Sequence, residues 1–268
     1  MRFSVVDFLN ARPLTWGLLR EPPPGVEVSR DLPSVCADKL ASGQADVGLI
    51  PSIEYQRIPG LRVVPGLGIA ASSEVRSVLL VSKVSRERIT SVALDPASRT
   101  SAALTRILLA RRYGIAPVFL EGAGEETDAR LIIGDPALKA RLNGHVVLDL
   151  AAEWRAFTGR SFVFAFWAVR EGVDGEAAER IVLQSRERGR QEFSRLVREE
   201  AGETGLSEAV VEDYLRHSLH FDLDRADFGG LELFYRLAVE AGVIDSARPI
   251  EFVSHGVRLS GPAAFSVD

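Results

Sequence analysis

Strand-like and helix-like patterns alternate from the start of the chain. The apolar pattern predicts strands at residues 3–8, 26–30 and 45–52. Residues 9–14 turn into a helix with Pro13 in its first turn, and residues 34–42 form a second helix that ends at Gly43. The order strand, helix, strand, helix, strand predicts a parallel sheet with right-handed crossovers.

The alternation continues to about residue 170 and then gives way to helices. Further strands are predicted at residues 61–70, 77–82, 91–94, 118–120, 130–136, 146–150 and 161–169. The last of these is strongly apolar, and we expect the chain to return there to the first sheet. Helices are predicted at residues 176–200, 207–218 and 230–241.

These elements predict an α/β protein of two lobes with a ligand cleft between them. The first lobe would be discontinuous, comprising residues 1–83 and 161–268, and its sheet would run to about Lys83. The second lobe would comprise residues 84–160. Ligands of α/β proteins bind at the carboxyl ends of strands and between domains, so polar residues at strand ends are the candidate site.

Composition narrows the class of protein. The chain has 268 residues, 46% of them hydrophobic, which is an ordinary globular balance. A net charge of -5 argues against a nucleic-acid surface. Cys36 is the single cysteine, which excludes an intrachain disulfide and favours a small buried side chain. With no leader pattern at Met1 and no run of about eighteen apolar residues, we expect a cytoplasmic protein that does not span a membrane.

One strand-to-helix turn carries three hydroxyl groups. Ser98, Thr100 and Ser101 lie where the strand ending near Leu94 gives way to a helix, with Arg99 among them. A single hydroxyl there is usually an ordinary helix cap. Three hydroxyls and an arginine exceed what a cap requires, so the turn is interpreted as a cradle for a carboxylate or phosphate.

Four other polar residues are expected to face the cleft from strand ends or helix starts. They are Asn10, Ser52, Ser77 and Asp135. Each has a purely structural alternative, such as an Asx turn for Asn10, a strand hydroxyl for Ser77 and a helix cap for Asp135. Asn, Ser and Thr are donors rather than strong bases, which suits the binding of an anion and the stabilisation of developing negative charge.

No motif indicates a metal or a cofactor. His217 and His220 are three residues apart on a predicted helix, but without an HEXXH or paired-cysteine pattern they are interpreted as a surface pair. Neither a glycine-rich phosphate loop nor a G-x-S-x-G elbow occurs. We therefore expect no cofactor and no metal.

Several of these motifs together resemble one family. Residues 8–14, 45–51, 75–78, 98–101, 131–138 and 162–167 resemble, in the same order, motifs of the chorismate dehydratases of the futalosine route to menaquinone. The resemblance implies a periplasmic-binding-protein-like type II fold, in agreement with the two lobes predicted above. It also implies loss of water from chorismate, a small dicarboxylate, to give 3-[(1-carboxyvinyl)oxy]benzoate.

The resemblance assigns expected roles to the candidate residues. Asn10 matches the asparagine of the family's Leu-Asn motif and would orient the substrate and its leaving hydroxyl. Ser77 matches a serine of the family's cleft and would form a hydrogen bond to the substrate near the reacting carbons. Ser98, Thr100 and Ser101 would hold a carboxylate. The expected cleft contains no obvious basic side chain, so we hypothesise that the substrate's own enolpyruvyl carboxylate removes the proton.

Three alternatives remain open at this stage. The fold also serves anion-binding proteins, and a later enzyme of the same route, acting on cyclic dehypoxanthine futalosine, shares it. For that enzyme we would expect a histidine in the cleft, whereas His145, His217, His220 and His255 all lie outside the cleft motifs. The effector domain of a transcription regulator is the weakest alternative, because no helix-turn-helix segment precedes the fold. The oligomeric state is left open.

Overall fold

Two β-sheets, each flanked by helices, form the protein in the computed structural model, which describes residues 1–122 and 126–253. The strands are β1 (Arg2–Val6), β2 (Glu27–Asp31), β3 (Val47–Pro51), β4 (Leu61–Ala71), β5 (Val78–Ser82), β6 (Ser91–Leu94), β7 (Val118–Glu121), β8 (Ala129–Ile133), β9 (Val146–Asp149), β10 (Phe162–Arg170) and β11 (His220–Asp222). The helices are α1 (Arg12–Arg20), α2 (Pro33–Ser42), α3 (Glu54–Arg57), α4 (Arg99–Ile107), α5 (Asp135–Lys139), α6 (Leu150–Thr158), α7 (Gly175–Gln191), α8 (Phe193–Thr204), α9 (Glu208–Asp213) and α10 (Arg225–Glu240). Short 3-10 turns lie at Leu9–Ala11 and Arg86–Arg88, and π-helical turns at Leu108–Arg112 and Tyr214–Ser218.

The first sheet has the strand order β11-β4-β10-β3-β1-β2 and is mixed. β1 pairs in parallel with β2 and β3, as predicted, whereas β10 is antiparallel to both β3 and β4. The prediction of a parallel sheet is therefore wrong for β4, β10 and β11. The chain runs toward the second lobe along β4 and returns along β10, with Phe162 beside Ala71, so these two strands must point in opposite directions.

The second sheet has the order β7-β6-β8-β5-β9. β5 belongs to this sheet, because it pairs with β8 and β9. The prediction that the first sheet continues to Lys83 is therefore wrong, and the chain crosses between the sheets before β5. All five residues of β5 are buried, and a short apolar strand of this kind fits either sheet equally well.

The carboxyl-terminal part of the chain differs from its prediction in two places. The helix predicted at residues 176–200 is broken at Glu192, whose carboxylate accepts a hydrogen bond from the Trp16 indole at 3.0 Å. His217 and His220 share no helix, since His220 lies on β11. β11 was missed because it is three residues long and follows a helical pattern directly.

α1 and α7 pack unusually closely, which anchors the turn that precedes α1. A Cβ atom on Gly189 would lie 2.4 Å from the carbonyl oxygen of Pro13, and one on Gly17 would lie 2.7 Å from Ser185 Cα. Only glycine permits such an approach between two helix backbones. The short turn Leu9–Ala11 is thus fixed at the start of a helix that cannot shift.

Cys36 is a fully buried core residue, as predicted. Burial raises the pKa of its thiol to about 12, so the thiol stays protonated. Within residues 1–122 and 126–253, no helix combines the length and the apolar character needed to cross a membrane.

Candidate active site

A cavity between the two sheets is lined by residues of both lobes. Its empty space, including the open solvent at its mouth, is about 510 Å³. The polar side chains that line it are Asn10, Ser77, Ser98, Thr100 and Ser101. The lining residues include no Asp, Glu, His, Lys or Arg. Among residues 1–122 and 126–253, the cavity thus has neutral hydrogen-bonding groups and no ionisable side chain in its lining.

The remaining wall of the cavity is apolar. It is formed by Val6, Phe8, Pro33, Pro51, Ile69, Val75, Val78, Ile133, Phe164 and Ala165, with the backbone of Gly134. A Cβ atom on Gly134 would lie 2.9 Å from the Phe8 ring, and this glycine has a φ of +65°. The two lobes therefore meet closely at the rim, and the apolar wall lowers the local dielectric around any bound anion.

Asn10 reaches the cavity from the 3-10 turn between β1 and α1. Its Oδ1 is buried and has no hydrogen-bond partner within the protein. The preceding residue, Leu9, donates its backbone N–H to Asp135 Oδ1 of the other lobe at 3.0 Å. Buried polar atoms are nearly always paired, so the unpaired oxygen indicates a group that pairs with a ligand.

The three hydroxyls of the α4 start converge on the same cavity. Ser98 is the N-cap of α4. Its Oγ accepts a hydrogen bond from the Ser101 backbone N–H, and its O–H donates one to Ser101 Oγ at 2.7 Å. Thr100 Oγ1 accepts a hydrogen bond at 3.2 Å from the backbone N–H of Ile53, which belongs to the other lobe. The first-turn N–H groups and the helix dipole favour negative charge at this end of α4.

Arg99 does not contribute to the cavity, contrary to its expected place in the anion cradle. Its guanidinium forms ion pairs with Glu54 and Asp38, each at 2.8 Å. Both partners belong to the first lobe, so this side chain ties α4 to the opposite lobe. The positive charge is already neutralised, and the hydroxyl groups remain as the donors of the turn.

Ser52 and Asp135 lie directly behind the lining residues. Ser52 Oγ donates to the Val163 carbonyl at 2.8 Å and is 3.5 Å from Thr100 Oγ1. The carboxylate of Asp135 accepts a hydrogen bond from the Leu9 backbone N–H, which lowers its pKa. Burial outweighs that bond and raises the pKa of the carboxyl. Both residues support side chains or turns of the cavity, and a direct substrate contact for either stays a prediction.

Ser77 is held from two sides. Its backbone carbonyl accepts a hydrogen bond from the Gly134 backbone N–H at 2.8 Å, and its Oγ accepts one from the Tyr214 hydroxyl at 2.7 Å. Tyr214 was missed by the sequence analysis because it lies 137 residues away, within a segment that showed only a helical pattern. Nothing in that local pattern indicates a contact with the site.

The three histidines that the structure describes lie away from the cavity. His145 and His217 are exposed, and His220 pairs with Asp227 at 2.9 Å. His255 lies outside the described residues. In the part of the chain that the structure describes, no three His, Cys, Asp or Glu side chains are grouped to hold a metal ion.

Two α/β lobes around a polar cavity define the class of periplasmic-binding-protein-like folds. The solved structures that resemble this chain include a protein from Archaeoglobus fulgidus, with a TM-score of 0.75, 15% identity and coverage of 91% of this chain and 98% of the other. They also include the periplasmic aliphatic sulphonate binding protein of Escherichia coli, with a TM-score of 0.61, 16% identity and coverage of 100% and 98%. At such identities the likeness concerns the fold alone.

The chain belongs to the family described as "Menaquinone biosynthesis", which it matches over residues 1–240. Two curated relatives carry the name chorismate dehydratase. The Campylobacter jejuni protein is 34% identical over 171 residues, covering 62% of this chain and 66% of that protein. The Thermus thermophilus protein is 28% identical over 251 residues, covering 85% and 91%.

Proposed function

We propose that this protein is a chorismate dehydratase, a lyase that removes water from chorismate to give 3-[(1-carboxyvinyl)oxy]benzoate. The observation that carries the proposal is a cavity whose five polar side chains are all neutral donors or acceptors, with no ionisable group among the lining residues that the structure describes. Family membership and the names of both relatives support it. We further assign the reaction to the futalosine route and to the cytoplasm.

The chemistry requires charge stabilisation more than a strong base. The proton on ring C3 is acidic because it is vinylogous to the ring carboxylate, and its removal places an enolate on that carboxylate. The C4–O bond then breaks, the hydroxyl leaves as water and the ring becomes aromatic. Donors fixed on the carboxylate oxygens bind the transition state more strongly than the ground state.

The α4 start supplies the anchor for a carboxylate in this scheme. Ser98, Thr100 and Ser101 offer hydroxyls at a helix N-terminus, whose dipole contributes up to about 2 kcal/mol per charge in a partly buried site. Asn10 and Ser77, from opposite lobes, then contact the reacting carbons and the leaving hydroxyl. A dicarboxylate is bound without a cation because several neutral donors share its charge.

The base in this proposal is the substrate's enolpyruvyl carboxylate. It takes the C3 proton, and that proton leaves with the C4 hydroxyl as water, so the carboxylate is regenerated. The absence of ionisable residues from the cavity wall supports this route. Good orientation alone contributes on the order of 7–11 kcal/mol in the best cases, which compensates for a weak base.

The decisive assay mixes the purified protein with chorismate and follows the ultraviolet spectrum and the product by chromatography. We expect conversion to an aromatic product with one equivalent of water lost. The fold likeness to a sulphonate-binding protein favours one other function, anion binding without reaction. An unchanged chorismate spectrum together with saturable binding would establish that alternative. Turnover of cyclic dehypoxanthine futalosine instead would identify the later enzyme.

A second assay tests the base. A chorismate analogue in which the side-chain carboxylate is replaced by a neutral amide keeps the ring, the C3 proton and the leaving hydroxyl. We expect this analogue to bind and to resist dehydration. Dehydration at the normal rate would show that another group removes the proton.

A further inference from the structure

Tyr214 reaches the candidate catalytic serine from the other lobe. Its hydroxyl donates to Ser77 Oγ at 2.7 Å, and the tyrosine is 1% exposed. A phenol is a stronger acid than an alcohol, so the tyrosine is the donor of this pair. Ser77 Oγ therefore accepts the hydrogen bond from Tyr214, and the hydroxyl hydrogen of Ser77 can be donated to a ligand in the cavity that Ser77 lines.

The side chain of Arg76, the residue before Ser77, is bound by the same segment. Arg76 has a φ of +60°, a left-handed conformation that is costly for a residue with a side chain. Its Nε donates to Ser218 Oγ at 2.8 Å, and its Nη1 pairs with Asp213 at 2.8 Å. Residues 213–218 thus bind both the side chain of Arg76 and the hydroxyl of Ser77.

A π-helical turn makes this double contact possible. Tyr214–Ser218 follows α9 without a break and is π-helical. In an α-helix, Asp213 and Ser218 would point about 140° apart, since each residue turns the chain by about 100°. A π turn closes a hydrogen bond between residues five apart and brings them toward one side, and such turns are frequent at functional sites.

We propose that Tyr214 is a positioning residue for Ser77 in catalysis, an inference that rests on the function proposed above. Its hydrogen bond fixes the Ser77 rotamer and polarises the Ser77 O–H toward the substrate. That polarisation strengthens the serine's own hydrogen bond as negative charge develops. Burial raises the pKa of Tyr214, so the phenol remains a protonated donor throughout the working pH range.

The test is a double-mutant cycle on chorismate turnover. Tyr214→Phe keeps the buried ring and removes only the hydroxyl. We expect kcat to fall roughly tenfold, the value of one hydrogen bond to a polarised group, while KM changes less than about twofold. In a Ser77→Ala background the same substitution should change kcat less than about twofold, because the group it acts on is gone.

The matched control is Tyr55→Phe, which removes another buried tyrosine hydroxyl. Tyr55 bonds the backbone of Pro249 and Glu251, and it does not line the cavity. We expect its kcat to stay within about twofold of wild type. Thermal unfolding of all variants verifies folding. Should Tyr214→Phe fail to fold, Ser218→Ala, which removes the hydrogen bond from Arg76 Nε and leaves the Arg76–Asp213 ion pair, replaces it in the same cycle.

Two outcomes would overturn the inference: an unchanged kcat in Tyr214→Phe, or an equal loss with and without the Ser77 hydroxyl. A crystal structure of Tyr214→Phe gives a readout independent of activity, because we expect Ser77 Oγ to leave its wild-type rotamer. If the wild-type protein does not dehydrate chorismate, the proposed function fails, and the rotamer alone decides the positioning role. An unaltered rotamer would then refute it.

Discussion

Asn10→Ala separates the catalytic and structural contributions of one side chain. In the wild-type protein no described residue pairs with the buried Asn10 Oδ1, so this oxygen contributes no protein hydrogen bond to the stability of the ligand-free state. The substitution removes that unpaired oxygen, and its space opens into the existing cavity rather than creating a sealed void. The free energy of unfolding of the ligand-free variant should therefore stay within about 1 kcal/mol of wild type, or roughly 2–4 °C in Tm.

Turnover should fall far more than stability changes. Loss of one preorganised polar contact in a low-dielectric site lowers kcat about 100-fold or more, equivalent to roughly 2.7 kcal/mol of transition-state stabilisation. Thermal unfolding without ligand gives the first quantity, and initial rates of chorismate consumption give the second. A Tm close to that of wild type together with a loss of kcat identifies a residue that serves function rather than folding.

The chain's other asparagine, Asn143, provides the matched control. It is exposed, so Asn143→Ala should change the free energy of unfolding by less than about 0.5 kcal/mol and leave kcat unaltered. If Asn10→Ala destabilises the protein by several kcal/mol while turnover survives, Asn10 is a structural residue and the reasoning is refuted.

Two further predictions use the same cavity. Ser98→Ala and Ser207→Ala each remove an N-cap hydroxyl, and each should lower the free energy of unfolding in denaturant by roughly 1 kcal/mol. Only the Ser98 variant should also raise KM for chorismate. Equal KM values for the two variants would show that Ser98 does not belong to the site. The pH profile of kcat should be flat between about pH 6 and 9, because no lining side chain titrates there. Asp135 accepts a hydrogen bond from the backbone of the turn that carries Asn10, and burial raises the pKa of its carboxyl. An inflection in the profile that Asp135→Asn abolishes would therefore refute catalysis by the substrate's own carboxylate.

Local patterns were sufficient for most helices and strands. The start of α4 at Ser98 and the end of α2 at Gly43 follow from a capping hydroxyl and a left-handed glycine, both properties of a few neighbouring residues. The resemblance of several motifs also indicated Asn10, Ser77 and the hydroxyls of the α4 start, which the structure brings to one cavity.

Contacts between distant segments could not be predicted in this way. The sheet to which β5 belongs and the direction of β10 depend on where the chain crosses between lobes. The break at Glu192 coincides with a hydrogen bond from Trp16, 176 residues earlier. The sequence predicts that Arg99 binds an anion, whereas in the structure its guanidinium forms ion pairs with Glu54 and Asp38.

The sequence by itself determined the two-lobed α/β class and the neutral donors offered by its turns, because both depend on residue type and short-range spacing. Only the tertiary structure decided which donors share one cavity, that no ionisable side chain of the described residues joins them, and that Tyr214 donates a hydrogen bond to Ser77. The physical reason is that burial and pairing of a polar group are set by whatever packs against it, and those neighbours come from more than a hundred residues away along the chain.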